Sequence, residues 1–489
     1  GTFPGWPTEA NALTVLDPCC GSGHFLTEAL AALAALRRAE EGLSAGEAVA
    51  AVLRDNLAGL EIDGRCVQIA AFGLALAGWR IGGGGTALPT PNVAWVGAPP
   101  PLPKTEFAAL ASGDAELRRG LEALHDLFRQ APLLGSLIEP VGGDLADPRR
   151  VARIEDSIAT LVERMRGAEP EPAEGVIAAR GMADASAVLS RRWVLQATNV
   201  PFLGRGRQEE GLKDYIEQRF ATSKADLATA MLSRMRGLAA IGGTISAVSP
   251  QNWLFLGGYK SLREEILVSI RISLIAGLGP RAFEAITGEV VNVALSVFEN
   301  TRPSPSSSFA ALDLNDAQDP AEKSQNLLRQ TPEMLSQAGQ KRNPDSRIIT
   351  KQIDSGPRLS SFVASYQGIK TGDDPALRRF FWEVGCVSAE WRFFQTIARL
   401  QGLSAHGKLG CAVNQMGDLH SAIYLGEPFD SNTSALIPTN PADLPAVWAF
   451  VSSDRYAELV RDLEPGMKAN NAVLAQVPFD VQHWRHVAA

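Results

Sequence analysis

The stretch LTVLDPCCGSGHFL, residues 13–26, decides how the rest of the chain is read. LTVL predicts a short buried strand. Asp17 stands at its exit, a Gly-Ser-Gly turn follows, and an Ala/Leu-rich helix runs from about His24 to Arg38. Working outward, a second helix is predicted over about 45–55. LAGLEI (57–62) gives a second strand, residues 66–79 a third helix, and NVAWVG (92–97) a third strand. Strands alternating with helices predict a parallel, doubly wound α/β sheet.

The turn has its own chemistry. Gly21 and Gly23 let a ligand approach the backbone closely. The helix start at Gly23–Phe25 offers unpaired N–H groups to a carboxylate. Asp17, followed by Pro18, can hold a cationic amino group. A ligand with both ammonium and carboxylate fits, as at the methionine end of S-adenosylmethionine. No Gly-Lys-Ser/Thr follows, so this is not a P-loop, and the spacing is not the GxGxxG dinucleotide fingerprint. A plain strand–helix turn would also use Gly, but the full D-P-x-x-G-S-G-H-F string favours the cofactor. At the end of the second strand, Glu61 of LEID (60–63) is placed to accept both ribose hydroxyls. Ile62 would pack on the adenine, and Asp63 can cap the next helix.

A third stretch, TNVPFLGRGRQ (198–208), follows the predicted strand RWVLQA. An exocyclic amine such as adenine N6 is a poor nucleophile, because its lone pair is delocalised into the ring. Two acceptors aimed at its hydrogens favour the tetrahedral form that attacks a methyl group. The Asn199 side-chain oxygen and the Val200 carbonyl can be those acceptors. Pro201 stiffens the loop, and Phe202 offers a face for a flipped base, a contact worth about 1–3 kcal/mol. A base inside a duplex must leave the stack to arrive there. Arg205 and Arg207 suit phosphate contacts beside the flipped nucleotide, and Lys370 is a weaker candidate of the same kind. A solvated Gly-Arg-Gly-Arg turn is the plain alternative.

Bulk properties set bounds. The chain has 489 residues, enough for two to four domains. At 45% hydrophobic content it can bury sizeable cores. A net charge of −8 excludes a uniformly basic coat but not a local basic groove. The five cysteines form no CxxC grid, and the six histidines no metal spacing, so neither disulfides nor a metal are expected. No apolar run is long enough to span a membrane, and no signal peptide is visible, so a cytoplasmic setting is expected. The chain opens almost on its first motif without an initiator Met, as a piece of a longer protein would.

These motifs resemble the γ-type, N6-adenine-specific DNA methyltransferases, especially the large methylases of type IIG restriction–modification and of the BREX and DISARM phage-defence systems. DPCCGSGHFL (17–26) is similar to their cofactor motif, LEID to their ribose motif, and TNVPFLGRGRQ to their NPPY/F catalytic motif. Weaker likenesses lie in DLATAMLSRM (226–235), VSPQNWLFLGGYKSLREEIL (248–267), GEVVNVALSVF (288–298) and QGIKTGDD (367–374). One departure is Val200, where the family has Pro. The carbonyl is kept and a locked φ is lost, so a less rigid loop is expected.

The resemblance implies S-adenosylmethionine as cofactor, double-stranded DNA as substrate, and other defence-system proteins as further partners. It also implies a Rossmann-like methyltransferase domain over 1–300, with a helical insertion at about 105–175. A linker or surface arm is expected over 301–360, and a mixed α/β DNA target-recognition region over 361–489. The rivals are an N4-cytosine or protein-glutamine methyltransferase with the same pocket, and a catalytically weak SAM- and DNA-binding subunit. Trp253 is expected in the core more than against a base. Cys19 and Cys20 have no base placed to activate them, and no Pro-Cys nucleophile motif stands at the catalytic loop. No nuclease constellation is visible. An acidic contact to the cofactor's adenine is not assigned, Asp144 being a poor match.

Overall fold

A computed structural model describes residues 3, 5–85, 87–140, 149, 152–154, 156, 170–283, 291–315, 317, 319–352, 356–368, 383, 385–386, 405, 407–427, 429–466 and 468–489. The chain divides into two compact units, one of residues 1–253 and 261–338, the other of 254–260 and 339–489.

The first unit is built on a nine-stranded sheet of order β3-β2-β1-β4-β5-β7-β6-β8-β9. Its first strands are β1 (Val15–Asp17), β2 (Leu57–Glu61) and β3 (Val93–Trp95), followed by β4 (Trp193–Asn199) and β5 (Ala239–Pro250). These five pair in parallel. Next come β6 (Arg271–Gly279) and β7 (Val293–Glu299), and β7 runs antiparallel between β5 and β6. The sheet is therefore mixed, with a doubly wound parallel half. Strand order reverses between β1 and β4, and ligands of open α/β sheets bind outside the carboxyl ends at such a point.

Helices α1 (His24–Glu41), α2 (Ala45–Asp55) and α3 (Gly64–Gly82) pack on the first three strands. Leu30, Leu33, Val49, Val52 and Leu74 meet there in one apolar cluster. A Ser44–Glu47 capping box opens α2, with both reciprocal bonds made. Asn56 fixes the entry to β1. It is fully buried, and its amide donates to the carbonyls of Ala10 and Leu13 at 2.8 Å each.

Three features differ from the sequence expectations. The helix after the 198–208 stretch spans Leu227–Leu238 and is capped by Asp226, which accepts from the Thr229 amide at 2.7 Å. The sequence SKAD (223–226) predicts a helix from about Lys224 capped by Ser223, but Ser223 lies in a short 3-10 turn ahead of it, because Asp226 takes the extended cap conformation. The composition of AEPEPAEG (168–175) predicts a linker, yet residues 170–175 open the helix Pro170–Ser190. Proline is compatible with a first turn, where its missing N–H is not needed. Part of the anticipated arm at 301–360 is in the sheet. β8 (Ser308–Asp313) pairs parallel to β6, and β9 (Glu333–Ser336) antiparallel to β8. The Pro/Ser composition of 301–307 obscures the short strand SFAALD, which places Phe309, Ala311 and Leu312 in the core.

The second unit holds a four-stranded antiparallel sheet of order β10-β13-β11-β12: β10 (Val363–Gln367), β11 (Gly410–Asn414), β12 (Ser421–Tyr424) and β13 (Thr433–Pro438). Helices Leu444–Val451, Asp454–Leu463 and Val481–Ala488 accompany it. Phe450, Tyr456 and Phe479 pack in its core, with Trp484 against them. A buried ion pair lies here too. Arg347 and Glu464 meet at 2.9 Å, and both side chains are shielded almost completely from water.

Candidate active site

The predicted cofactor residues come together at the carboxyl ends of β1 and β2. Asp17 ends β1 and is buried. One carboxylate oxygen accepts from the Cys19 amide at 3.1 Å, and the other has no hydrogen-bond partner among the described residues. Burial pushes its pKa up to about 7; the Thr198 side chain and the Cys19 amide oppose that rise, and the Glu61 charge adds to it.

Glu61 ends β2 and clasps the turn. It accepts from the Gly21 amide at 2.8 Å through one oxygen, and from the amides of Ile62 and Asp63 at 2.9 and 3.0 Å through the other. Asp63 caps α3 through the Arg65 amide. Arg65 beside it pulls its carboxyl down to about 2.

The two glycines do different jobs. Gly21 has φ of +51°, and no heavy atom lies within 4 Å of where a Cβ would project, so the turn is open on that side. Gly23 has φ of +84°, and its Cβ would come within 3.0 Å of the Ala70 Cβ. The first leaves room for a ligand, and the second lets α1 start against α3. Pro18 is buried behind Asp17, while Phe25 in the first turn of α1 is exposed. Ile62 is also exposed, and its carbonyl accepts from the Trp95 indole N–H at 2.9 Å. Burial pushes the thiols of Cys19 and Cys20 up, which disfavours the thiolate.

The second cluster stands at the end of β4, next to β1. Asn199 is the last strand residue, paired in register with Val248 and exposed. Its side chain makes no hydrogen bond among the described residues. Val200 is buried, and its amide donates to the Val248 carbonyl at 3.1 Å. The family's Pro could not make that bond. A backbone hydrogen bond therefore restrains the position that a ring would otherwise stiffen. Pro201 is exposed. Phe202 is half-buried against the cluster of Leu278, Val293 and Leu314.

Arg205 is less available than the sequence suggested. It pairs with Glu217 at 2.7 Å, and Lys224 reaches the same carboxylate. The two cations hold Glu217 below the usual carboxylate range, Lys224 first. Arg207 is exposed. Lys370, Asp144 and most of QGIKTGDD lie outside the described residues. Trp253 is in the core, its indole N–H donating to the Ser249 hydroxyl at 3.1 Å.

Two residues near the site escaped the sequence reading. Ser136 donates to the Pro18 carbonyl at 2.5 Å, and buried Arg234 reaches the backbone around Ser136. A signal for Arg234 was present. It shares the helical face of Leu227, Met231 and Leu238, where a charge has to be bonded internally. Nothing local marks Ser136, whose partner is 118 residues away in sequence.

No established family profile matches the chain. It is 29% identical over 315 residues to the adenine-specific methyltransferase BrxX of Escherichia coli O9:H4 (strain HS), covering 60% of this chain and 26% of that protein. It is 29% identical over 293 residues to the adenine-specific methyltransferase PglX of Lacticaseibacillus casei (strain Zhang), covering 59% and 24%. The chain thus spans about a quarter of the length of the curated relatives it matches. Among solved structures, a nuclease-deletion mutant of the Type ISP restriction–modification enzyme LlaGI in complex with a DNA substrate mimic aligns with a TM-score of 0.53. The identity is 12%, over 98% of this chain and 44% of that one. The ATP-dependent Type ISP enzyme LlaBIII bound to DNA aligns at 0.50 and 11% identity, over 98% and 37%. At such identities the likeness speaks for the fold. No helix among the described residues is long and apolar enough to cross a membrane. In sequence the chain is thus similar to the adenine-specific methyltransferases BrxX and PglX, and in fold to restriction–modification enzymes, as its motifs indicated.

Proposed function

We propose that this chain carries the catalytic region of a DNA methyltransferase that modifies adenine N6 with S-adenosylmethionine, protecting host DNA within a phage-defence or restriction system. The observation that carries this reading is the convergence of the DPCCGSG turn, Glu61 and the Asn199 loop at adjacent strand ends, β2, β1 and β4, where the order reverses.

The residues fit the cofactor. Asp17 has a buried oxygen with no hydrogen-bond partner among the described residues, suited to an ammonium. The Gly21 side of the turn is open, and the first turn of α1 supplies free N–H groups for a carboxylate. Glu61 already bonds three amides, and its oxygens keep acceptor capacity for ribose hydroxyls. Ile62 and Phe25 supply exposed apolar surface beside the turn.

When bound, S-adenosylmethionine supplies a methyl group on a sulfonium. The protein orients the amine that takes it. Asn199 Oδ1 and the Val200 carbonyl accept the two N6 hydrogens, so the nitrogen lone pair is turned toward the methyl. Phe202 meets the flipped base, with its far side held by Leu278 and Val293. Catalysis by this arrangement is orientation and electrostatics, without a covalent enzyme intermediate.

The test is methyl transfer from labelled S-adenosylmethionine to unmethylated DNA by the full-length protein, with product nucleosides separated by mass. N6-methyladenine is expected. N4-methylcytosine would overturn the base assignment. Cofactor binding without any product would point to a binding subunit instead.

The Asp17 carboxyl gives a pH signature. With a pKa near 7, about one molecule in ten is ionised at pH 6 and about nine in ten at pH 8. An ammonium ligand favours the carboxylate and lowers that pKa, so binding releases a proton. Cofactor affinity should therefore rise about fivefold from pH 6 to pH 7, below the range in which the cofactor's own ammonium loses its proton. Calorimetry in buffers of different ionisation enthalpy reads both the slope and the proton. A flat profile in wild type would remove Asp17 from the ammonium site.

A further inference from the structure

Between the predicted helices of the insertion, APLLGSLIEP (131–140) reads as an interruption. In the structure it is tied to both halves of the site. Gly135 has φ of +50°, and a Cβ there would lie 3.1 Å from Ile62 Cδ1. Ser136, itself buried, donates to the Pro18 carbonyl at 2.5 Å, one residue past Asp17. The segment therefore lies against the cofactor turn and against the residue next to Glu61.

What holds the segment is the helix Leu227–Leu238. Arg234 is 3% exposed. Its Nε donates to the Ser136 carbonyl at 3.2 Å, and one terminal nitrogen donates to the carbonyls of Ile138 at 2.8 Å and Leu189 at 3.4 Å. Its other terminal nitrogen lies 3.9 Å from Glu139. Burial lowers its pKa to about 10, so it stays cationic at neutral pH. Tyr215 adds a bond from its hydroxyl to the Leu137 carbonyl at 2.9 Å.

The same helix holds the catalytic loop at its other end. The Leu227 amide donates to the Leu203 carbonyl at 2.9 Å, and the Arg205 amide to the Ala225 carbonyl at 3.2 Å. Gly204 and Asp226 form a β-bridge. One helix is thus bonded to the substrate loop through its N-terminus and to the cofactor turn through Arg234 and Ser136.

We infer that Arg234 and Ser136 are positioning residues, which hold the cofactor turn at a set distance from the Asn199 loop. A planar guanidinium suits this task. It presents donors in a fixed fork, so carbonyls 136 and 138 are held relative to each other as well as to the helix. Neither residue touches the reacting atoms. Their effect runs through the Pro18 carbonyl and the wall beside Ile62. The inference rests on the cofactor assignment made above.

The experiment compares full-length wild type with Ser136→Ala, Arg234→Lys and Arg234→Met. Calorimetry measures S-adenosylmethionine binding, methyl transfer to unmethylated DNA gives KM and kcat, and thermal unfolding is followed with and without cofactor. Ser136→Ala removes one hydrogen bond and no bulk. It should raise the cofactor Kd and KM about five- to tenfold, the equivalent of one lost bond, with DNA affinity unchanged. Arg234→Met should exceed that effect, and Arg234→Lys, which keeps the charge without the fork, should fall between. Ser136→Ala also covers the case in which Arg234→Met fails to fold. Unchanged cofactor KM in Ser136→Ala would overturn the inference, as would equal losses of cofactor binding, DNA binding and unfolding temperature. If wild type itself bound no cofactor, the proposed function would fail first and carry this inference with it.

Discussion

Replacing Asn199 by Ala is expected to slow methyl transfer about a hundred- to thousandfold, with cofactor binding and folding unchanged. Asn199 ends β4 beside Val248, so its backbone pairing survives the substitution. Its side chain is exposed and bonds to nothing in the described structure, so truncation opens no cavity and orphans no buried group. The loss therefore falls on the one task left to the amide, accepting a hydrogen from the reacting amine. Single-turnover kinetics with saturating DNA would isolate that step. An unchanged rate would remove Asn199 from the chemistry. An equal fall in cofactor affinity would make it part of the cofactor site instead. The neighbouring Val200 should be treated the opposite way. Its amide is committed to the Val248 carbonyl, so Val200→Pro removes a bond at the strand end.

Glu464→Gln is expected to destabilise the second unit by roughly 3–5 kcal/mol. The Arg347 guanidinium is fully shielded from water, and one of its nitrogens bonds both Glu464 and the Leu463 carbonyl. Two of its other nitrogens have no partner among the described residues. The guanidinium is thus poorly supplied with further hydrogen bonds, and the Glu464 carboxylate balances its charge. Neutralising one leaves a buried cation with little to offset its desolvation. Replacing both, as in Arg347→Met with Glu464→Leu, should come close to wild type, since the desolvation cost of both charges disappears together. Denaturant unfolding of the full chain would show the single variant losing a transition midpoint that the double variant regains. Equal losses in both would mean that the packing of these side chains, and not their charge, holds the unit.

Much of the candidate site is legible in the sequence because its parts are local. A Gly that must take positive φ, an acidic residue at a strand exit and an Asn at another are set by neighbours within a few residues, and 17–26, 60–63 and 199–202 each carry their own geometry. The parallel half of the sheet was legible for the same reason, from alternating strand and helix periods. Other features depended on partners far away in sequence. The Pro/Ser-rich run at 301–307 hides a strand that exists because β6 is there to pair with SFAALD. Arg205 reads as a free phosphate contact until Glu217 comes back along a helix to meet it.

By itself, then, the sequence determined which side chains are candidates for the chemistry and the order of the strands that carry them. Only the tertiary structure decided how the two halves of the site are held together. Val200 is anchored by β5, Glu61 by the Gly21 amide, and the DPCCGSG turn by Ser136, whose own backbone Arg234 holds. The reason is physical. A turn is closed by torsions within a few residues, whereas a hydrogen bond across a hundred residues exists only after the sheet has brought both partners to one end.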